Sequence, residues 1–258
     1  MRSVSKLWPA VLVSSLVGCG GGGGGGGGGP TPQPNASIGG IWKGTDSISG
    51  LPVIGLAAET GQFHFIRQDG VQYYGTGTTN GNSVTANFTG VTPLGTAFPD
   101  GSTYGTGTLS GTVSERSTLS GSTSFRTAAG NSDSGNVTLT YNALYDRDSS
   151  LTTIAGNFTD VKTGDVVSVS ASGVIFEQDP ATGCVVNGNV GIIDSRYDAY
   201  SVQWTYSSCT GANAVLNGLT FNGIGTLDNT VTPEQAIVGV TATTGTTGYA
   251  VVLVLQRT

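Results

Sequence analysis

From Tyr200 to Ser207 the chain reads Tyr-Ser-Val-Gln-Trp-Thr-Tyr-Ser, a strict alternation of large apolar and polar side chains in a run that closes at Cys209. Side chains of an extended chain point alternately to its two faces, so Tyr200, Val202, Trp204 and Tyr206 share one face. Ser201, Gln203, Thr205 and Ser207 share the other, the pattern of an antiparallel strand with one face packed and one polar. Working outward, Val137, Leu139, Tyr141, Ala143 and Tyr145 alternate in the same way with Thr138, Thr140 and Asn142. Short runs of this kind recur throughout residues 38–258, separated by Gly, Asn, Asp or Ser, and no stretch has the period of an amphipathic helix.

Counting the runs predicts the architecture. Eight lie before residue 150, around 40–46, 53–58, 62–68, 71–79, 83–91, 103–113, 117–126 and 136–146. Eight more lie around 152–160, 166–172, 174–178, 184–193, 199–209, 215–227, 236–242 and 248–257. Two blocks of eight predict an all-β body of two antiparallel up-and-down barrels in tandem, residues 38–149 and 150–258. Composition agrees: the chain holds 43 glycines, and charged residues make up 10% of it, against about 25% in an ordinary soluble domain. Thr, Ser, Gly and Val stand where helix surfaces carry Lys, Glu and Arg.

The first residues carry an address. Arg2 and Lys6 precede an apolar centre from Leu7 to Val13, and small residues follow, the three parts of an export signal. The apolar stretch is too short to span a bilayer. It ends in Leu16-Val17-Gly18-Cys19, which resembles the lipobox of bacterial lipoproteins. That resemblance implies removal of residues 1–18, with Leu16 and Gly18 recognised by the signal peptidase and acyl chains placed on Cys19. Gly20 stands where inner-membrane lipoproteins of enteric bacteria have Asp, so the resemblance implies an outer-membrane, lipid-anchored protein.

Residues 19–37 are expected to be a disordered tether. Ten glycines, Gly20 to Gly29, run into Pro30-Thr31-Pro32-Gln33-Pro34, and no apolar residue before Ala36 is available to a core. The glycine run spans ~17 Å as a flexible coil. Loss of Arg2 and Lys6 leaves about eight basic against 16 acidic side chains, and the basic ones form no cluster. Nucleic acid is therefore excluded as a partner, since gripping phosphate needs clustered cations.

Each block opens on Gly-x-aromatic, Gly40-Ile41-Trp42 and Gly156-Asn157-Phe158, and closes near an arginine, Arg147 and Arg257. This resembles the lipocalin and calycin barrels, where a Gly-x-Trp of the first strand packs beneath an Arg from the last strand. The resemblance implies two barrel-closing pairs, Trp42 with Arg147 and Phe158 with Arg257, each a guanidinium on an aromatic face. A glycine-rich tether ahead of β-barrels is also similar in layout to surface lipoproteins of the transferrin-binding type.

Cys184 and Cys209 lie symmetrically about a turn near Arg196 and Tyr197. A cross-strand disulfide is expected, as an oxidising compartment allows. A metal pair is disfavoured because the spacing is not C-x-x-C and no histidine is near.

Catalytic chemistry is hard to place. The one histidine, His64, has no Ser in a nucleophile elbow to serve, and reads as a strand histidine. The carboxylates sit mostly at turns, where aspartate bonds local backbone, and no metal or cofactor set stands out. Tyr73, Tyr74, Tyr104, Tyr197, Tyr200, Trp204 and Tyr206 are candidates either for a binding rim or for core. The expectation is a non-catalytic binding module for an unidentified small ligand or surface partner. Structural or adhesive display, and an envelope hydrolase with paired carboxylates, remain alternatives. A cavity of roughly 300 Å³ or more favours binding, and filled barrels favour display.

Overall fold

A computed structural model describes residues 34–258; the signal region, Leu16, Gly18, Cys19 and the glycine run lie outside the described residues. The first eight strands are β1 (Gly40–Asp46), β2 (Pro52–Ala57), β3 (Gln62–Arg67), β4 (Gln72–Asn80), β5 (Ser83–Val91), β6 (Tyr104–Ser114), β7 (Thr118–Thr127) and β8 (Ser132–Asn142). They pair in chain order, and β8 returns to β1, closing a barrel. The second eight are β9 (Gly156–Asp160), β10 (Val166–Val169), β11 (Val174–Gln178), β12 (Val185–Ile192), β13 (Tyr200–Ser207), β14 (Thr220–Asp228), β15 (Gln235–Thr244) and β16 (Thr247–Arg257). They close in the same way through β16 and β9. The body is thus two eight-stranded antiparallel barrels in tandem, as the alternation predicts.

Among the described residues helical structure is confined to short pieces: 3₁₀ turns at Ala143–Asp146 and Gly211–Leu216, and one α-turn at Leu151–Ile154. Local capping explains the first and the last of the connector between the barrels. Asn142 accepts from the Leu144 amide at 3.1 Å, and Ser150 accepts from the Thr153 amide at 3.0 Å, so each side chain satisfies an otherwise unpaired N–H.

Alternation divides the first barrel cleanly on strands β4–β8. Val84, Ala86, Phe88, Leu109, Leu119, Phe125 and Leu139 point inward and are buried. Outward stand rungs of hydroxyl and amide side chains in register, such as Thr78, Thr85, Ser110, Ser122 and Asn136. The sequence of β2, Pro-Val-Ile-Gly-Leu-Ala, does not alternate, because its outer face is also covered. Ile41, Leu56 and Ile66 of β1–β3 meet Ile224 of β14, together with Tyr145 and Ala199, in a core shared between the barrels. Gln72 lies wholly buried there, its Nε2 donating to the carbonyls of Val240 and Val251 at 3.2 and 2.8 Å. Gly239 makes the close approach feasible: a Cβ there would stand 2.7 Å from Ile66 Cδ1.

The tail of the expected tether is already attached to the first barrel. The Ala36 amide donates to Gly81 O at 2.9 Å, Thr79 Oγ1 donates to Ala36 O at 2.7 Å, and Ile38 is buried. The chain therefore enters at the end of the barrel that carries the β2–β3 and β4–β5 turns.

His64, on the outer face of β3, is buried, with Nδ1 3.4 Å from Gln72 Oε1 and its ring stacked on Tyr74 at 5.4 Å. Burial pulls its imidazole down from 6.5 to about 4. The unfolded chain takes up a proton between those values and the folded chain does not, so this residue's contribution, on the order of 3 kcal/mol, is lost as pH falls from 6.5 towards 4. Asp198 acts in the opposite sense. Burial raises it to about 6, against the hydrogen bonds from Thr226 and Leu227, so its contribution is lost as pH rises from its ordinary value through 6. As the chain's only histidine, His64 gives an isolated NMR titration. Its Cε1 proton should stay unshifted from pH 7 to pH 5, whereas a midpoint near 6.5 would mean the barrels do not close over it.

Candidate functional site: a hollow barrel beside a filled one

The two barrels differ in what fills them. In the second, Trp204, Tyr206 and Phe221 pack edge and face at 5.3–6.5 Å between centroids, with Tyr200 buried in the same core, leaving about 40 Å³. In the first, β4–β7 place glycine at inward positions again and again: Gly75, Gly77, Gly90, Gly105, Gly107, Gly111 and Gly121. The missing side chains let the rings of Phe88 and Phe125 lie against the wall. A Cβ on Gly90 would come within 2.6 Å of the Phe125 ring, and one on Gly107 would overlap that of Phe88. What remains is a cavity of about 610 Å³, well inside the range of small-molecule sites.

Its walls are aromatic. Phe88 and Phe125 stack in parallel at 6.1 Å, Tyr73 meets both edge-on at 5.7 and 5.8 Å, and Phe63 lies against Phe65 at 5.0 Å. Val53, Leu109 and Val137 complete the apolar lining. The base is closed by Trp42, fully buried, its Nε1 donating to Ile38 O at 2.9 Å and its ring edge-on to Tyr141 at 5.4 Å.

The other end is a polar mouth formed by the β1–β2, β5–β6 and β7–β8 connections, with Asp46, Ser49, Asp100, Asn131 and Asp133 on its rim. Phe98, on the β5–β6 loop, reaches over it to the Phe125 ring at 5.2 Å. That loop is fastened to the second barrel: the Ala250 amide donates to Thr92 O at 2.9 Å, and the Gly248 amide to Thr103 Oγ1 at 3.1 Å. Arg67 is the cation of the lining. Its Nε and Nη2 each donate at 2.8 Å to Asp69, and its Nη1 lies 3.3 Å from both Asp46 and the Tyr73 hydroxyl. Burial pushes the Tyr73 phenol up to about 12; Arg67 opposes the rise, and Asp46, Asp69 and Asp133 add to it.

The barrel-closing residues divide. Arg257 lies 4.7 Å above the Phe158 ring and also donates to Glu234 and to the carbonyls of Thr153 and Ala155, all at 2.6 Å. Arg147 is not stacked on Trp42; the ring neighbour there is Tyr141. Register explains the difference. Arg257 is on β16 directly opposite Phe158, and its counterpart opposite Trp42 on β8 is Tyr141. The chain leaves β8 at Asn142 for a 3₁₀ turn, carrying Arg147 off the barrel wall to the vicinity of buried Asp198. Its Nη1 is buried with no partner among the described residues.

Cys184 and Cys209 are joined by a disulfide across the open end of the β12–β13 hairpin. The paired register ends at Val185 and Ser207, so the cysteines sit just beyond the ladder. Of the tyrosines singled out above, Tyr73 alone lines the cavity. Tyr74 covers His64, Tyr197 stacks on Tyr145 at 4.8 Å, and Tyr200, Trp204 and Tyr206 fill the second barrel. The sequence signal for the cavity is the alternation Gly75-Thr76-Gly77 and Gly105-Thr106-Gly107, glycine in and threonine out. No family model and no curated protein matches the chain.

Proposed function

We propose that this chain is a lipid-anchored protein of the bacterial outer membrane whose first barrel binds a small, largely apolar molecule without transforming it. The cavity of about 610 Å³ carries this reading, because the adjoining barrel, built on the same plan, is filled. Anchoring is supported by Leu16-Val17-Gly18-Cys19.

Binding is favoured over general-acid hydrolysis by where the perturbed carboxyls lie. Glu177, which burial and its acidic neighbours raise to about 7, and Asp198 are both away from the cavity. Asp100 on its rim is held below the ordinary range by Thr127 and the Ser102 amide. A second reading, surface display, draws on the hydroxyl-rich outer face of β4–β8, where Arg126 is the charged residue of β7.

N-phenylnaphthylamine, a neutral probe that fluoresces in apolar surroundings, tests binding directly. Saturable enhancement is expected with the intact protein. Thr123→Trp, which places an indole in the cavity, is expected to weaken it by about tenfold or more with the β circular dichroism unchanged. Equal binding by both would place the probe elsewhere, and no binding by either would leave display. Radiolabelled palmitate is expected on the wild-type chain and absent from Cys19→Ser.

A further inference from the structure

We infer that the first barrel selects amphiphiles with a cationic head over those with an anionic one, an inference that rests on the binding reading above. Three observations lead to it. Arg67, the lining's guanidinium, has four of its five N–H donors taken: Asp69 holds Nε and one Nη2 hydrogen, and Asp46 with the Tyr73 hydroxyl holds Nη1, so a single Nη2 hydrogen is left. It therefore cannot hold the carboxylate or phosphate of a ligand in the usual two-pronged way.

The rim beyond it is acidic. Asp100, in the β5–β6 connection, and Asp133, at the start of β8, stand on the cavity wall, and neither forms an ion pair among the described residues. Asp133 lies directly across from Phe125 in the β7–β8 register, which puts its carboxylate at the upper edge of the aromatic panel. An anionic head arriving there meets like charge, while an ammonium meets carboxylates that no cation pairs with among the described residues.

The panel itself adds in the same sense. The parallel rings of Phe88 and Phe125 carry negative faces that attract a cation near the mouth. Below them the walls are hydrocarbon, so the apolar body goes in first and the head stays at the rim.

The test uses three compounds with one body, decyltrimethylammonium, decanol and decanoate, each below its micellar concentration, displacing N-phenylnaphthylamine from the intact protein. The ammonium is expected to displace it at concentrations lower than decanoate by about tenfold or more. Asp100→Asn with Asp133→Asn is expected to weaken the ammonium by about fivefold while leaving decanol unchanged. Three equal compounds, or decanoate the strongest, would overturn the selectivity and leave the binding reading standing. If neither the probe nor any compound binds, or raises the melting temperature, the binding reading falls and this inference with it. A loss of decanol affinity in the double variant would trace the effect to altered shape and would also overturn it.

Discussion

Trp42→Ala is expected to lower stability by about 3–5 kcal/mol, the range for removing a large buried aromatic side chain. No part of the residue reaches solvent, so the indole's full burial is lost. The Ile38 carbonyl loses its donor, Tyr141 loses its edge contact, and the base of the cavity opens. Urea unfolding followed by circular dichroism checks this through a lowered midpoint. Trp42→Phe keeps most of the volume and should fall between the two. Because Ile41 and Leu56 share a core with Ile224 of the other barrel, a single transition is expected for the whole body, with both barrels melting together. A midpoint unchanged by the alanine would show that the plug bears no weight.

Cys184→Ser with Cys209→Ser is expected to cost about 3 kcal/mol, the chain-entropy value for releasing a loop of this size. The cysteines are 25 residues apart, and both are buried. The strand end they hold is further fixed by Asn217, which accepts from the Cys209 amide at 2.8 Å and donates to its carbonyl at 3.0 Å. The double variant should therefore fold but melt lower, and mild reduction of the wild type should reproduce its melting curve. Mass spectrometry of the unreduced chain provides the control: two free thiols there would contradict the bond.

The strands were legible because they alternate. Where one face is core and the other is Thr or Ser, as along β5, period two sets the strand limits. Strand β8 starts at Ser132, ahead of the expected 136, because Ser132-Asp133-Ser134-Gly135 contains no apolar residue to mark an inward face. Asp133 points inward nonetheless, at the mouth, where water or a ligand can meet it. Around 152 and 215 apolar residues were read as strand, yet Leu151–Ile154 and Gly211–Leu216 form helical turns; four to six residues are too few for periodicity to tell the two apart. The face between the barrels was visible only as a lapse in alternation, in β2 and β15. The cavity was hidden because a void is made by residues with no side chain. Arg147 shows a further limit: its distance from the end of a strand was readable, and the turn that removes it from the strand was not.

The loop that carries Phe98 over the mouth has both of its ends held by β16. Lifting that rim means disturbing a strand of the other barrel, so a substitution that loosens β16 around Gly248 and Ala250 reaches the mouth of the hollow barrel without touching its lining.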